Sequence, residues 1–270
     1  MALTQLIVLG VLHAAAETLP IGAVAHLAWL DGWVELSAGA PNTRGLGLGL
    51  HLGLMLAAAA YFWRDLSDMA TGLVRVAKGK RDPNARLAFL LIVATLPMIA
   101  AAMGVQHMDV IPWQSPMVVA WTAVTVSVLL LVFDSTCMTV KRIEHAGYSD
   151  AIILGLAQAL AVIPGVGRIA VIVAVARALG YERQDAPRFA FLISIPTLFA
   201  ASAWNAYGLT TQAAPFPTRM VLFGVLVAFA TSLPTIALLM NWLRRSTFTP
   251  FALYRLVMSA NLVAFAYGWI

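Results

Sequence analysis

The chain has one cysteine in 270 residues, Cys137, so an intrachain disulfide is excluded and no Cys-x-x-Cys metal or redox motif exists. Charge is equally scarce: 11% of residues are Asp, Glu, Lys or Arg, against about 25% in a soluble domain. So little polar surface cannot coat a globule in water. The 61% of hydrophobic residues run through nearly every segment, which excludes mere surface attachment by an amphipathic helix. Lipid must be the solvent. The opening Met-Ala-Leu-Thr-Gln lacks the basic flank and small-residue cleavage site of a signal peptide, so targeting is expected to rest on the membrane segments.

A spanning helix needs about 20 apolar residues. Six stretches of the single membrane domain 1–270 qualify: roughly 45–63, 86–104, 116–133, 188–207, 219–241 and 250–270. Two more, 3–30 and 151–180, are interrupted at Leu19-Pro20-Ile21-Gly22 and Ile163-Pro164-Gly165-Val166-Gly167. Each half is too short to cross, so both are expected to be re-entrant hairpins. The net charge of +5 then reports topology rather than nucleic-acid binding. With six spans and two hairpins, 14 of the 17 basic residues fall on one side, from Arg64 and Arg75 through Arg177 and Arg188 to Arg255. Arg44 and Arg219 fall on the other, and Arg168 lies inside the second hairpin. Both termini are expected outside.

This topology makes the hairpins dip from opposite faces, an inverted repeat. Leu9-Gly10-Val11-Leu12-His13 echoes Leu154-Gly155-Leu156-Ala157-Gln158. Ala88-Phe89-Leu90-Leu91, ahead of Pro97, echoes Ala190-Phe191-Leu192-Ile193, ahead of Pro196. Such folds place ligand where broken helices meet near the midplane. The expected fold is therefore an all-α polytopic membrane protein, six transmembrane helices plus two re-entrant hairpins.

A broken helix exposes unpaired N–H groups where its second half begins, and the helix dipole favours an anion there. Glu17, His26 and Arg168 lie beside the breaks. Each intramembrane charge costs about 2.5–3.5 kcal/mol on insertion scales, so a role in function is the default. Arg168, at the start of a half-helix, suits a forked phosphate contact, or it is a structural partner for Glu17. Glu17 reads as a base, a metal ligand or half of a buried salt bridge. His13 and Glu17, at i and i+4, share a helix face and could hold a divalent cation or relay a proton. His26 reads as a phosphate donor, a general acid or a packing residue, and His51 as a packing or lining residue. His107, Asp109 and His145 are expected in solvated loops, and the Arg75–Arg86 cluster in a loop near anionic lipid. Gly45, Gly47, Gly49 and Gly53 indicate close helix packing. Trp29, Trp33, Trp113 and Trp204 suit interfacial belts.

Several of these motifs together resemble the membrane-embedded undecaprenyl-diphosphate phosphatase family of the bacitracin-resistance type. The resemblance rests on Glu17-Thr18-Leu19-Pro20 through His26, Tyr61-Phe62-Trp63-Arg64, and Ile163-Pro164-Gly165-Val166-Gly167-Arg168. It continues through Phe189-Ala190-Phe191-Leu192 to Phe248-Thr249-Pro250-Phe251-Ala252-Leu253-Tyr254-Arg255. It implies a polyprenyl diphosphate substrate, hydrolysed to the monophosphate on the outer face of a bacterial inner membrane, usually with a divalent cation, Mg²⁺ or Ca²⁺. Glu17, His26 and Arg168 match the family's catalytic positions. His13, Gly22, Gly165 and Gly167 join Arg168 in substrate binding, with His13 and Glu17 as metal ligands. His13 replaces the family's first glutamate, Gly22-Ala23-Val24 replace its Ser-Ser-Thr run, and Gly167 and Ile169 replace the serines flanking the arginine. A hydroxyl nucleophile is thus missing from both hairpins, leaving His26, His13, Thr18 or a water activated by Glu17. Two readings follow: a polyprenyl-diphosphate hydrolase, or a non-catalytic binder or carrier of lipid phosphate. Transport of an unrelated small anion is a third. The expected partners are polyprenyl (di)phosphate and membrane lipids, with no nucleic acid and a homodimer left open.

Overall fold

The computed structural model describes residues 3–27, 41–105, 115–211 and 215–269. Trp29, Trp33, His107, Asp109 and Trp113 lie outside the described residues, as does the side chain of Arg44. Among the described residues ten α-helices of more than ten residues follow one another: α1 Leu3–Thr18, α2 Pro41–Tyr61, α3 Trp63–Ala77, α4 Pro83–Val105, α5 Pro116–Thr136, α6 Tyr148–Ala159, α7 Arg168–Ala178, α8 Asp185–Thr210, α9 Thr218–Trp242 and α10 Thr249–Ala266. A short helical turn over 23–27 follows the first break. Helices α4, α5, α8, α9 and α10 are each long and apolar enough to cross a membrane. Helix α2 is apolar from Gly45 to Tyr61 and meets α3 at a 78° bend. The protein is all-α and polytopic. At about 1.5 Å per residue, neither α6 nor α7 reaches across a hydrocarbon core of about 30 Å.

Helix packing has an internal twofold. Helix α1 packs on α9 as α6 packs on α4, α2 on α9 as α8 on α4, while α2·α8 and α5·α10 pair across the axis. Each first half-hairpin makes its contact through a glycine. A Cβ on Gly10 would lie 2.8 Å from Val227, and one on Gly155 would strike the Ala94 carbonyl. The resemblance of residues 88–91 to 190–193 does not follow this symmetry, because geometry pairs α4 with α9 rather than α8. Each of the helices so paired contains a proline, Pro97 in α4 and Pro234 in α9.

Helices α2 and α9 approach so closely at three glycines that no side chain fits there. A Cβ on Gly53 would lie 2.6 Å from Ala228 Cβ, one on Gly45 2.7 Å from Pro217, and one on Gly49 would run into the Val221 carbonyl. In lipid there is no hydrophobic drive to press helices together, so backbone proximity through small residues supplies the dispersion contact. Gly47 is different: a Cβ there meets nothing within 4 Å.

The segment from Arg64 onward is not all loop. Helix α3 buries Met69 and Gly72, exposes Trp63, Leu73 and Val74, and carries its charges at Arg64, Asp65, Asp68 and Arg75. Such an amphipathic face suits the membrane interface. Arg188 at the start of α8 pairs with Asp65. Nearby, buried Asp134 at the end of α5 accepts from Arg177 Nε and Arg183 Nε, both at 2.9 Å, and from Phe248 N–H at 3.0 Å. Tyr181 donates to Asp150 at 2.9 Å, and Lys141 bonds the same carboxylate. Burial, then the bond to Asp150, pushes the Tyr181 phenol well above its ordinary range. Arg177 therefore belongs to a buried clamp rather than to a solvated loop. His145 is exposed, its Nδ1 accepting from Arg142 N–H, and Trp204 projects outward from α8, 55% exposed.

Gly53→Val is expected to force α2 off α9 and cost about 2–4 kcal/mol, in the range of overpacked membrane interfaces and cores. Gly47→Ala, which meets open space, is expected to leave the unfolding midpoint unchanged or to raise it. Thermal unfolding of both variants in detergent checks the contrast.

Candidate functional site

The two breaks touch. Helix α1 ends when Pro20 removes an N–H, and Gly22 closes the turn with φ +79°, its N–H reaching back to Ala16 O at 3.1 Å. In the second break Gly165 and Gly167 also take positive φ, +90° and +71°. A side chain on Gly167 would lie 3.4 Å from Gly22 Cα and 3.0 Å from Arg255 Nη1. Across the same gap Arg168 Nη2 faces Glu17 Oε2 at 3.5 Å, with the two side chains 11% and 18% exposed. Glu17, Arg168, Gly22 and Gly167 are thus brought to one place. Gly165 lies behind it, pressed on α5, where a Cβ would hit Thr122 and Val119.

Backbone freed at membrane depth needs partners. Thr122 Oγ1 donates to Pro164 O at 2.7 Å. Arg255 Nη2 donates to Gly165 O and, at 2.6 Å, to Val166 O. The three carbonyls of the second break are therefore satisfied. The donors that follow it differ: Gly167 caps α7 and has no side chain to offer, so the N–H groups that open α7 keep no intrahelical acceptor.

Arg255 is the residue that the loop-charge reading misplaced. It is 1% exposed and sits between the breaks, not among the charges at the basic end of the 250–270 span. Helix α10 begins at Thr249 with Pro250 in its first turn, so Arg255 enters the membrane one and a half turns down. Its Nε and Nη1 and the Nε of Arg168 have no hydrogen-bond partner among the described residues. Glu17 is the one described carboxylate whose charge reaches either guanidinium. Two cations thus face one anion, with donors to spare. An isolated buried cation is costly, so the arrangement calls for a further anion.

His26 is held at both ends. Nδ1 lies 2.7 Å from Gly22 O and Nε2 lies 2.8 Å from Tyr254 Oη. A carbonyl only accepts, so Nδ1 carries the proton and Tyr254 donates to Nε2. The ring fastens the short turn after Pro20 to α10, and Tyr254 is a second site residue that sequence reasoning passed over. Thr18 spends its hydroxyl on Ala14 O at 2.7 Å and is fully buried. It is therefore not presented to a ligand. His13 lies one turn before Glu17 and within electrostatic reach of Glu17 and Arg168. Among the described residues no three His, Cys, Asp or Glu side chains form a metal cage. A hard cation that keeps most of its ligands as phosphate oxygens and water needs only one or two carboxylates, and Glu17 fits that role.

Arg255→Met is expected to strand the Gly165 and Val166 carbonyls and cost about 2–5 kcal/mol, whereas Tyr254→Phe is expected to cost about 1 kcal/mol. Unfolding midpoints in one detergent rank the two.

Comparison with known proteins accords with this geometry. The model of the family described as bacitracin resistance protein BacA matches residues 6–261. Undecaprenyl-diphosphatase 1 of Rhodospirillum rubrum is 40% identical over 272 residues, covering 99% of this chain and 96% of its own. The undecaprenyl-diphosphatase of Ruegeria pomeroyi is 34% identical, covering 99% and 100%, and that of Alcanivorax borkumensis 33%, covering 96% and 97%. The chain belongs to the BacA family.

Proposed function

We propose that this BacA-family protein hydrolyses undecaprenyl diphosphate to undecaprenyl monophosphate and inorganic phosphate, in a bacterial inner membrane with both termini outside. One observation carries the proposal: two guanidiniums with unpartnered N–H groups converge with a carboxylate where two helix breaks meet. A diphosphate carries the negative charge this cluster lacks, and it has enough oxygens for both forks and for the N–H groups opening α7. An apolar groove of about 650 Å³, lined by Ala101, Gly104, Leu156, Leu160 and Ile163, ends beside Pro164 and suits the polyprenyl chain.

Without a free hydroxyl at either break, water is the nucleophile. Glu17 orients a water and accepts its proton as the oxygen attacks the terminal phosphorus. The bridging oxygen leaves with its electron pair on the lipid monophosphate, and Arg168 and Arg255 stabilise the charge that moves onto it. His26 and Tyr254 hold the first break in place, so that Gly22 leaves room for the phosphate. A Mg²⁺ or Ca²⁺ ion held by Glu17, with His13 beside it, would add Lewis-acid stabilisation of the phosphate oxygens.

Phosphate release from undecaprenyl diphosphate by purified protein, with and without Mg²⁺ or Ca²⁺, tests this reading. Glu17→Ala and Arg168→Ala are each expected to lower kcat/KM by about 10²–10⁴-fold. Release no greater than in these variants, alongside Arg168-dependent lipid-phosphate binding, would overturn hydrolysis in favour of a carrier.

A further inference from the structure

The polar cluster has one more member, without a role in the hydrolytic step. His51 of α2 lies within electrostatic reach of His13, Glu17 and Arg168. Its Nδ1 is enclosed and has no hydrogen-bond partner among the described residues. The same residue lines a cavity of about 350 Å³ between α2 and α8, with Gly47, Leu48, Trp204, Asn205, Gly208 and Leu209 as its other walls.

Two of these walls are glycines, and a Cβ added to either would meet no atom within 4 Å. The space is therefore kept by missing side chains. Gly45, Gly49 and Gly53 of the same helix are filled by α9, as described above, so Gly47 does not share their packing role. The cavity holds an imidazole and a primary amide, both able to donate hydrogen bonds, and the Arg168 charge acts on that imidazole. It lies between different helices from the apolar groove and would suit a small anion rather than a chain.

We infer that this cavity is a phosphate site, receiving the inorganic phosphate cleaved from the substrate and bound by His51 and Asn205. The origin of that phosphate rests on the hydrolytic reading, but the site itself does not. The same chemistry could also serve the phosphate of a lipid monophosphate, and the test separates the two sources.

Inorganic phosphate is titrated into the full-length protein in detergent and followed by phosphorus NMR line broadening. A parallel arm uses a short-chain prenyl monophosphate. Wild type is expected to bind inorganic phosphate. His51→Leu is expected to weaken that binding about tenfold, the loss of roughly one good hydrogen bond to a charged group, and Gly208→Phe to weaken it at least as much by filling the cavity, with prenyl monophosphate affinity unchanged in both. Gly47→Leu fills the cavity from the opposite wall and serves if either variant misfolds, as its unfolding midpoint would show. Phosphate binding that is absent in wild type, or equal in all the variants, overturns the inference. So does prenyl monophosphate binding with the same dependence on His51. His51-dependent phosphate binding by a protein that releases no phosphate from the lipid diphosphate would uphold the site and remove the hydrolytic reading.

Discussion

Backbone that leaves a helix at membrane depth must find partners inside the protein, and this fold meets most of that demand with one guanidinium. Arg255 spends Nη2 on the carbonyls of Gly165 and Val166, and its remaining donors stay free at the junction of the two breaks. The same side chain thus closes the fold and opens the site. A lysine could not do both, since its ammonium is a compact point charge without the planar fork. The glycines belong to the same constraint. Gly22 and Gly167 take left-handed backbone and leave the space in which Arg255 and a ligand can meet.

Much of this was legible before any coordinates. Pro20 and Pro164, each close to glycine, mark the breaks because proline removes a donor and glycine accepts positive φ, and both effects are local. Glu17 and Arg168 were legible because a charge in an apolar run is conspicuous. Arg255 was not. It follows Thr249-Pro250 closely enough to count with a basic loop, and only the depth at which α10 begins separates a loop charge from a site charge. The amphipathic α3 was hidden in a charged stretch, where polarity reads as loop although Leu66, Met69 and Leu73 follow a helical period. Gly47 stands among packing glycines at even spacing, yet helix rotation turns it away from α9. The repeat was legible as two breaks but not as a residue alignment, since twofold contacts constrain backbone distance far more than side-chain identity.

The two ends of the bundle are built differently. At the end rich in basic residues, Asp134 ties α5 to Arg177 of α7, to Arg183 and to the first turn of α10, while Asp150 holds Tyr181 and Lys141. A buried carboxylate bonded to two guanidiniums is costly to form but costlier to break, because any partner removed leaves an uncompensated charge. Such a clamp fixes the outer ends of the second half-hairpin and of α10, the two elements that bring Arg168 and Arg255 to the site. The position of the two guanidiniums is therefore set from one end of the protein.

The missing hydroxyls bear directly on how the site must work. Thr18 is fully buried and turned onto its own helix, so it offers no oxygen to phosphorus in this arrangement. A water-based attack then places a demand on the fold that a covalent route would relax: water must reach Glu17 through lipid-embedded helices, and a charged product must leave by a polar path. The apolar groove beside Pro164 cannot serve either need, since its walls offer almost no hydrogen bonds. The cavity between α2 and α8 has the polar lining that such a path needs, a surface-exposed amide, Asn205, and the imidazole of His51, on which the Glu17 charge acts. Separate routes for the chain and for water follow from the physical chemistry of a substrate that is oil at one end and a diphosphate at the other.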